Sequence, residues 1–369
     1  MKRVVVLGGS GIFGGRIAKA LASYKVLDVR IAGRSRRRGE QVAEEIGARY
    51  VHCALEQPES LAACLDDCDL LIHAAGPFQG RDYAVARACI GRRVHYLDLA
   101  DARDFVSGIG VLHAEALERG VVVGSGASSV PTITWALIAE LTPEFAVIES
   151  IQIALSPGNQ NPRGASTIGA ILGYLGQPTR VWIDGQWRSR TGWGDRIELE
   201  FPPKVGRREV FRCEVPDLEL FPTTWSAGSV EFHAGLELRG FNRTLSALAA
   251  LRRMHALPPL ERLAPVCLRV SLWFFSKGSK NGALAVWVRG RSPNGASIER
   301  KIALVTDDDG PATPSSPAIL LARKLLLGPG LEPGAQPCMG WLDLAELRAH
   351  LSPLGVWCAR SDEDGNWTR

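Results

Sequence analysis

The chain of 369 residues reads as an α/β protein: a Rossmann-type doubly wound parallel sheet, followed by an α+β domain with a mainly antiparallel sheet. Three observations predict this. Four apolar β-formers, Val4-Val5-Val6-Leu7, run into the turn Gly8-Gly9-Ser10-Gly11-Ile12-Phe13-Gly14 and from there into a helix. Strands and helices then alternate to about residue 148, as they do around a parallel sheet. Past that point, adjacent strands joined by short turns replace the alternation.

The glycine turn organises the first domain. Gly9-x-Gly11-x-x-Gly14 lies between a buried-type strand and a helix, the context in which this spacing seats a dinucleotide. Gly9 permits the tight turn, Gly11 lets backbone approach a pyrophosphate, and Gly14 lets the helix sit close on the strand. The diphosphate would then rest on N–H groups at the positive end of the helix dipole. In the helix that follows, Gly14, Ile17, Ala18 and Leu21 share one face.

The remaining elements follow in order. Strands are expected at 26–32, 49–52, 70–75, 94–98 and 121–123, and helices at 40–46, 60–65, 81–90 and 131–141, the last with Pro131 in its first turn. The second domain opens with a strand at 149–155 and a helix at 165–175. Val181 to Trp187 reads as a hairpin around Asp184-Gly185, and 284–291 pairs with 297–305 across Ser292-Pro293-Asn294-Gly295. All ten tryptophans lie at or beyond residue 135, six of them between 182 and 287, where packing of a sheet onto helices is the expected role. An acidic, Pro-rich link at 307–316 leads to a helix at 318–327, a Gly/Pro-rich segment and a last helix at 342–351. The expected domains are therefore 1–148 and 149–369, with the helices of 318–351 free to pack on either, and the polar tail after Ala359 is expected to fray.

Composition narrows the function. With 46% hydrophobic and 22% charged residues and a formal net charge of +4, the chain has the balance of an ordinary globular protein, which gives no reason to expect nucleic acid or a membrane surface. It contains no apolar run long enough to span a bilayer, and a first strand so close to Met1 leads to the expectation that no leader peptide precedes it. Its eight cysteines form no CxxC pair and no grouping with histidine, so no metal is expected and reduced thiols in a cytoplasmic protein are.

The strand ends carry the chemistry. An NAD site usually ends its second strand with an acid that bonds the ribose 2′-hydroxyl; here Gly33 stands in that place, followed by Arg34 and Ser35. Guanidinium and hydroxyl donors suit a 2′-phosphate, so NADP(H) is the expected cofactor. Ala75-Gly76-Pro77-Phe78 ends the fourth strand where chain passes the nicotinamide ribose, with Phe78 placed to wall the ring. The candidate cofactor contacts are thus Gly8, Gly9, Ser10, Gly11, Ile12, Phe13, Gly14, Gly33, Arg34, Ser35, Ala75, Gly76, Pro77, Phe78, Asp98, Ser125 and Gly126. For proton transfer, Asp98 stands first, then Tyr96 and Asp101, with His233 of the second domain a fourth. The Tyr-x-x-x-Lys pair of short-chain dehydrogenases is missing, since Arg87, Ala100 and Pro178 stand four beyond Tyr83, Tyr96 and Tyr174.

Taken together, these turns resemble the saccharopine dehydrogenase-like family of NADP-binding oxidoreductases. The resemblance rests on Gly8 to Gly14, Ala32-Gly33-Arg34-Ser35, Ala75-Gly76-Pro77-Phe78, His95-Tyr96-Leu97-Asp98 and Gly126-Ala127-Ser128-Ser129-Val130-Pro131. Pro216-Asp217-Leu218-Glu219 and Ala234-Gly235-Leu236 add to it further on. Where that family usually follows its Tyr-x-Asp with glycine and glutamate, this chain has Ala100 and Asp101. The resemblance implies a pyridine-nucleotide oxidoreductase that moves a hydride to or from a C=N, C=O or C=C group of a small molecule. The expected assembly is a homodimer. A non-catalytic NADP(H)-binding sensor is the competing expectation.

Overall fold

The computed structural model describes residues 1–254, 257 and 259–369. They form two units, Met1–Ile133 with Pro311–Leu342, and Thr134–Gly310 with Asp343–Arg369.

In the first unit, β1 (Lys2–Leu7), β2 (Leu27–Gly33), β3 (Arg49–His52), β4 (Leu70–His73), β5 (His95–Asp98) and β6 (Val122–Ser125) share one sheet with the strand Gly334–Pro337. The order is Gly334–Pro337, β6, β5, β4, β1, β2, β3, and every pairing is parallel. The order reverses beside β1, where folds of this kind open a crevice at the carboxyl ends of the strands. Val4, Val5 and Val6 are wholly buried, which explains the unbroken apolar run of a strand covered on both faces. Helix α1 (Ile12–Ala22) buries Gly14, Ile17, Ala18 and Leu21, the face its spacing predicts. Each large apolar side chain so buried contributes about 1.5–3 kcal/mol.

The end of the chain departs from expectation. The link read at 307–316 is helical from Ala312, and the helix Ala312–Leu327 packs against α1. A proline in the first turn gives up an N–H that has no intrahelical acceptor, so Pro314 does not delay the helix. The Gly/Pro-rich segment after it contributes the strand Gly334–Pro337, whose proline is tolerated at the sheet edge. The first unit also ends at Ile133 rather than at 148 before resuming at Pro311. Helix Thr134–Leu141 accounts for this, because it packs on two strands of the second unit, Gly282–Arg291 and Ser297–Thr306. Helix Leu344–Leu351, opened by a capping box between Asp343 and Glu346, belongs to the second unit as well.

That second unit holds β7 (Val147–Ser156), β8 (Pro178–Ile183), β9 (Gln186–Thr191), β10 (Ile197–Glu200), β11 (Arg207–Arg212), β12 (Ser229–Ala234), β13 (Gly282–Arg291) and β14 (Ser297–Thr306). Its sheet runs β10, β11, β12, β7, β13, β14, then Val356–Ser361 and Trp367–Thr368, with the β8–β9 hairpin attached through β12. Pairing is antiparallel except between β7 and β12. Asp184 and Gly185 turn the hairpin with φ of 52° and 71°, and Arg291 faces Ser297 as the sequence predicts. Trp287 packs on Phe201 and Trp367 at centroid distances of 5.7 and 6.1 Å, so these tryptophans do serve the sheet. The tail is ordered rather than frayed: the Trp367 indole donates to the Glu200 carbonyl at 2.9 Å.

Candidate functional site

The carboxyl ends of β1, β2, β4, β5 and β6 are tied into one surface by backbone hydrogen bonds. Gly8 N–H donates to Ala32 at 2.8 Å, Ala74 to Leu7 at 2.8 Å, Leu99 to His73 at 3.2 Å and Ala127 to Asp98 at 2.7 Å. Gly8 has φ +83°, and a Cβ there would lie 2.8 Å from the Ala74 backbone. A Cβ on Gly14 would lie 2.3 Å from the Gly8 carbonyl oxygen. The absence of a Gly8 side chain thus lets the β1–α1 turn lie directly against the Ala74–Ala75 backbone.

Gly11 caps α1 with no side-chain hydrogen bond, and the first turn holds no acid. The leading N–H groups of the helix, from Ile12 onward, therefore face outward with the positive end of the dipole, ready for an anionic group. At the end of β2, open space surrounds the position where a Gly33 side chain would stand, and the Gly33 carbonyl accepts from the Tyr50 hydroxyl at 2.6 Å. The Arg34 side chain is 78% exposed, and its nearest acid, Glu56, is 4.0 Å away and exposed too. Ser35 caps the helix α2 (Arg36–Ile46) by position alone, since its hydroxyl makes no capping bond. Arg36 is engaged with Glu40 at 2.9 Å.

Asp98 does not face the crevice. It is wholly buried, and its Oδ1 accepts from Ala100 N–H at 2.9 Å, the Ser125 hydroxyl at 2.9 Å and Gly126 N–H at 2.8 Å. Burial pushes its carboxyl up to about 6 against these bonds and against the Tyr96 hydroxyl, which also favours the charged form. Oδ2 meets no donor at normal hydrogen-bonding geometry. One carboxylate thereby holds the loops after β5 and β6 together. Asp98, placed first for proton transfer and among the cofactor contacts by sequence, is thus positioned as a support for the strand-end loops.

Tyr96 is also wholly buried, 3.1 Å from His73 Nδ1, and burial raises its hydroxyl well above the ordinary range. Both rings line a cavity of about 60 Å³ with Leu55, Arg81 and Phe105. Burial and nearby Arg81 push His73 down to about 3, so it is neutral. Phe78 turns inward as well, with its ring 4.8 Å from His73 and 5.3 Å from Phe105. The ring that the sequence places as a wall for the nicotinamide packs in this aromatic cluster instead. Asp101 is different: half-buried, it accepts from Gln79 Nε2 at 3.2 Å, and burial raises its carboxyl. In the second unit, His233 is buried, neither ring nitrogen meets a hydrogen-bond partner, and burial pushes it down to about 3, so at neutral pH it is not the imidazolium that would serve as an acid.

Tyr50, Gln79 and Thr132, whose hydroxyl donates to the Gly126 carbonyl at 2.8 Å, were not among the sequence candidates. Each acts on a partner brought close by the fold or by a turn, and no short motif marks it. The same holds for Trp341 and Cys338, which back Gly124 so tightly that a Cβ there would meet them at 2.4 and 2.7 Å.

Residues 4–123 match the family model described as the saccharopine dehydrogenase NADP binding domain. A mouse saccharopine dehydrogenase-like oxidoreductase is 25% identical over 220 residues, covering 53% of this chain and 47% of that protein. The chain thus spans about half the length of this curated relative. Among solved structures, the L-Glu-forming saccharopine dehydrogenase of Saccharomyces cerevisiae superposes with a TM-score of 0.72 at 14% identity, over 98% of this chain and 100% of that one. The homospermidine synthase of Legionella pneumophila, solved with NAD, gives 0.62 at 13% identity over 97% and 91%. At these identities the superpositions speak for the fold. The glycine turn, the strand order and the family match converge: residues 4–123 are similar to the NADP binding domain of saccharopine dehydrogenase, on a parallel sheet of the dinucleotide-binding kind.

Proposed function

We propose that the protein is an NADP(H)-dependent oxidoreductase acting on a C=N, C=O or C=C group of a small substrate. The observation that carries the reading is the pairing of an uncapped α1 start with an acid-free β2 end, where Gly33 leaves space, Arg34 makes only a long, exposed ion pair with Glu56 at 4.0 Å, and the Ser35 hydroxyl makes no capping bond. A carboxylate at residue 33 would repel a 2′-phosphate; a guanidinium and a hydroxyl bind one. Backbone at Gly9 to Phe13 would hold the diphosphate, and Ala75, Gly76 and Pro77 with Ser125 and Gly126 would border the nicotinamide half. When bound, the reduced cofactor supplies a hydride to an sp² carbon. The protein's own task is then to orient that carbon, exclude water and pass a proton. Asp101 is the acid for that task, because it is reachable and its raised pKa keeps a proton available nearer neutrality. Asp98 positions the loops. A cytoplasmic homodimer belongs to the same reading.

A screen of NADPH oxidation against imine, keto and enoyl acceptors tests it, run with Asp98→Asn and Asp101→Asn beside the unmutated protein. Turnover should appear with one acceptor class and fall about 10²–10⁴-fold in Asp101→Asn with little change in NADPH affinity. Asp98→Asn should weaken NADPH binding instead. Tight NADPH binding with no turnover across all three classes would favour the sensor.

A further inference from the structure

The modest charge of the whole chain conceals a local concentration. Residues 239–280 contain eight Lys and Arg against the single acid Glu261, a net charge of +7, so the remainder of a chain totalling +4 sums to −3. Within the second unit this stretch builds the helices Arg239–Arg253 and Ala264–Trp273. Arg252 is spent internally, donating to the carbonyls of Leu172, Gly173 and Leu175 and pairing with Glu261. Lys280 pairs with Asp308. The other six, Arg239, Arg243, Arg253, Arg262, Arg269 and Lys277, are exposed and join no ion pair among the described residues.

The same stretch leaves apolar surface in water. Helix Ala264–Trp273 buries Ala264 and Ser271 and packs on the helix Ala165–Tyr174. Along its outer side Leu263, Val266, Val270 and Trp273 recur at intervals of three and four, which aligns them in one stripe, exposed by 45, 58, 37 and 74%. Phe274 and Phe275 extend it at 45 and 37%. Arg262 and Arg269 border it, each one residue before a member of the stripe. An apolar surface of this extent, rimmed by charge, marks a contact site.

Charge decides what covers it. A two-fold contact between copies would set this patch against itself and bring two strongly positive surfaces together. An anionic surface removes that repulsion. Aromatic side chains at one end of an apolar helix face, with arginines along its border, are the pattern of a helix lying in a lipid headgroup layer. No helix among the described residues is long and apolar enough to cross a membrane, so the contact is peripheral. We propose that this face docks on an anionic lipid bilayer, the stripe from Leu263 to Phe275 entering the headgroup layer while Arg262, Arg269 and Lys277 meet lipid phosphates.

Flotation with vesicles tests this, comparing phosphatidylcholine alone with phosphatidylcholine containing roughly one-third phosphatidylglycerol. The protein should float with the anionic vesicles, far less with the neutral ones, and less in high salt. The double variant Arg262→Ala/Arg269→Ala should lose about 30-fold in partitioning, two arginines each lowering the affinity for an anionic surface. Trp273→Ser should also weaken it, and both variants, altered only at exposed positions, should keep the unmutated circular dichroism spectrum. No flotation at either composition, equal flotation with both, or arginine variants that bind undiminished would overturn the proposal. So would sedimentation showing self-association that Val266→Arg abolishes.

Discussion

Asp98 and Asp101 stand three residues apart at the end of β5, yet the fold gives them different environments. The first spends its Oδ1 on three donors and sees no solvent; the second keeps one long bond to Gln79 and partial access. From sequence both were acids at a strand end with Asp98 placed first, and nothing in Asp98-Leu99-Ala100-Asp101 shows that Asp98 is the buried one, because two of its three donors come from Ser125 and Gly126. Asp217 poses the same question in the second unit. It opens the helix Asp217–Thr224 wholly buried, neither oxygen meets a donor at normal geometry, and burial pushes its carboxyl up to about 7, with the Thr134 hydroxyl only partly opposing. The folded protein therefore holds a proton that the unfolded chain releases near pH 4. Stability from this group is present below that pH and lost as pH rises toward 7. Asp217→Asn removes the titration. Its stability relative to the unmutated protein should improve by about 3 kcal/mol between about pH 5 and about pH 8, measured by denaturant unfolding. A gap that stays constant across that window would show that Asp217 does not titrate there. His73 and His233, both pushed down to about 3, act with the opposite sign, costing stability as pH falls below the ordinary histidine range, so the comparison between variants is the clean readout.

The β1–α1 turn was the most legible element, because its signals are local. The apolar run, the glycine spacing and the buried face of α1 all lie within about one βα unit, and periodicity reports each directly. Gly14 gives the sharpest test. Its missing Cβ would sit 2.3 Å from a backbone oxygen, which cannot swing away as a side chain could, whereas a Cβ on Gly33 would meet nothing within 4 Å. Gly14→Ala should destabilise the protein by about 1–3 kcal/mol in denaturant melts and weaken dinucleotide binding, while Gly33→Ala should leave stability nearly unchanged. Equal effects of the two would mean that the turn is looser than its contacts indicate. The strand Gly334–Pro337 was illegible for the opposite reason. Four residues containing glycine and proline carry no strand pattern, and they pair only because β6 offers them an edge.

At the scale of the molecule, sequence alternation located a Rossmann sheet and an antiparallel sheet but not the path between them. The chain leaves the first unit at Ile133 and returns at Pro311, a crossing written in long-range packing rather than in local composition. Net charge misled in a similar way, since a total of +4 averages a strongly basic helical region against a mildly acidic remainder. Neither bears on the proposed binding of a 2′-phosphorylated nicotinamide dinucleotide by the first unit. Titration of the unmutated protein and Arg34→Ala with NADPH and NADH, followed by intrinsic fluorescence, tests it most directly. One charged hydrogen bond, at roughly 1.5–3 kcal/mol, predicts an NADPH preference of roughly 10- to 150-fold. Arg34→Ala should remove most of it by weakening NADPH alone. Equal affinity of the unmutated protein for NADPH and NADH would contradict the account.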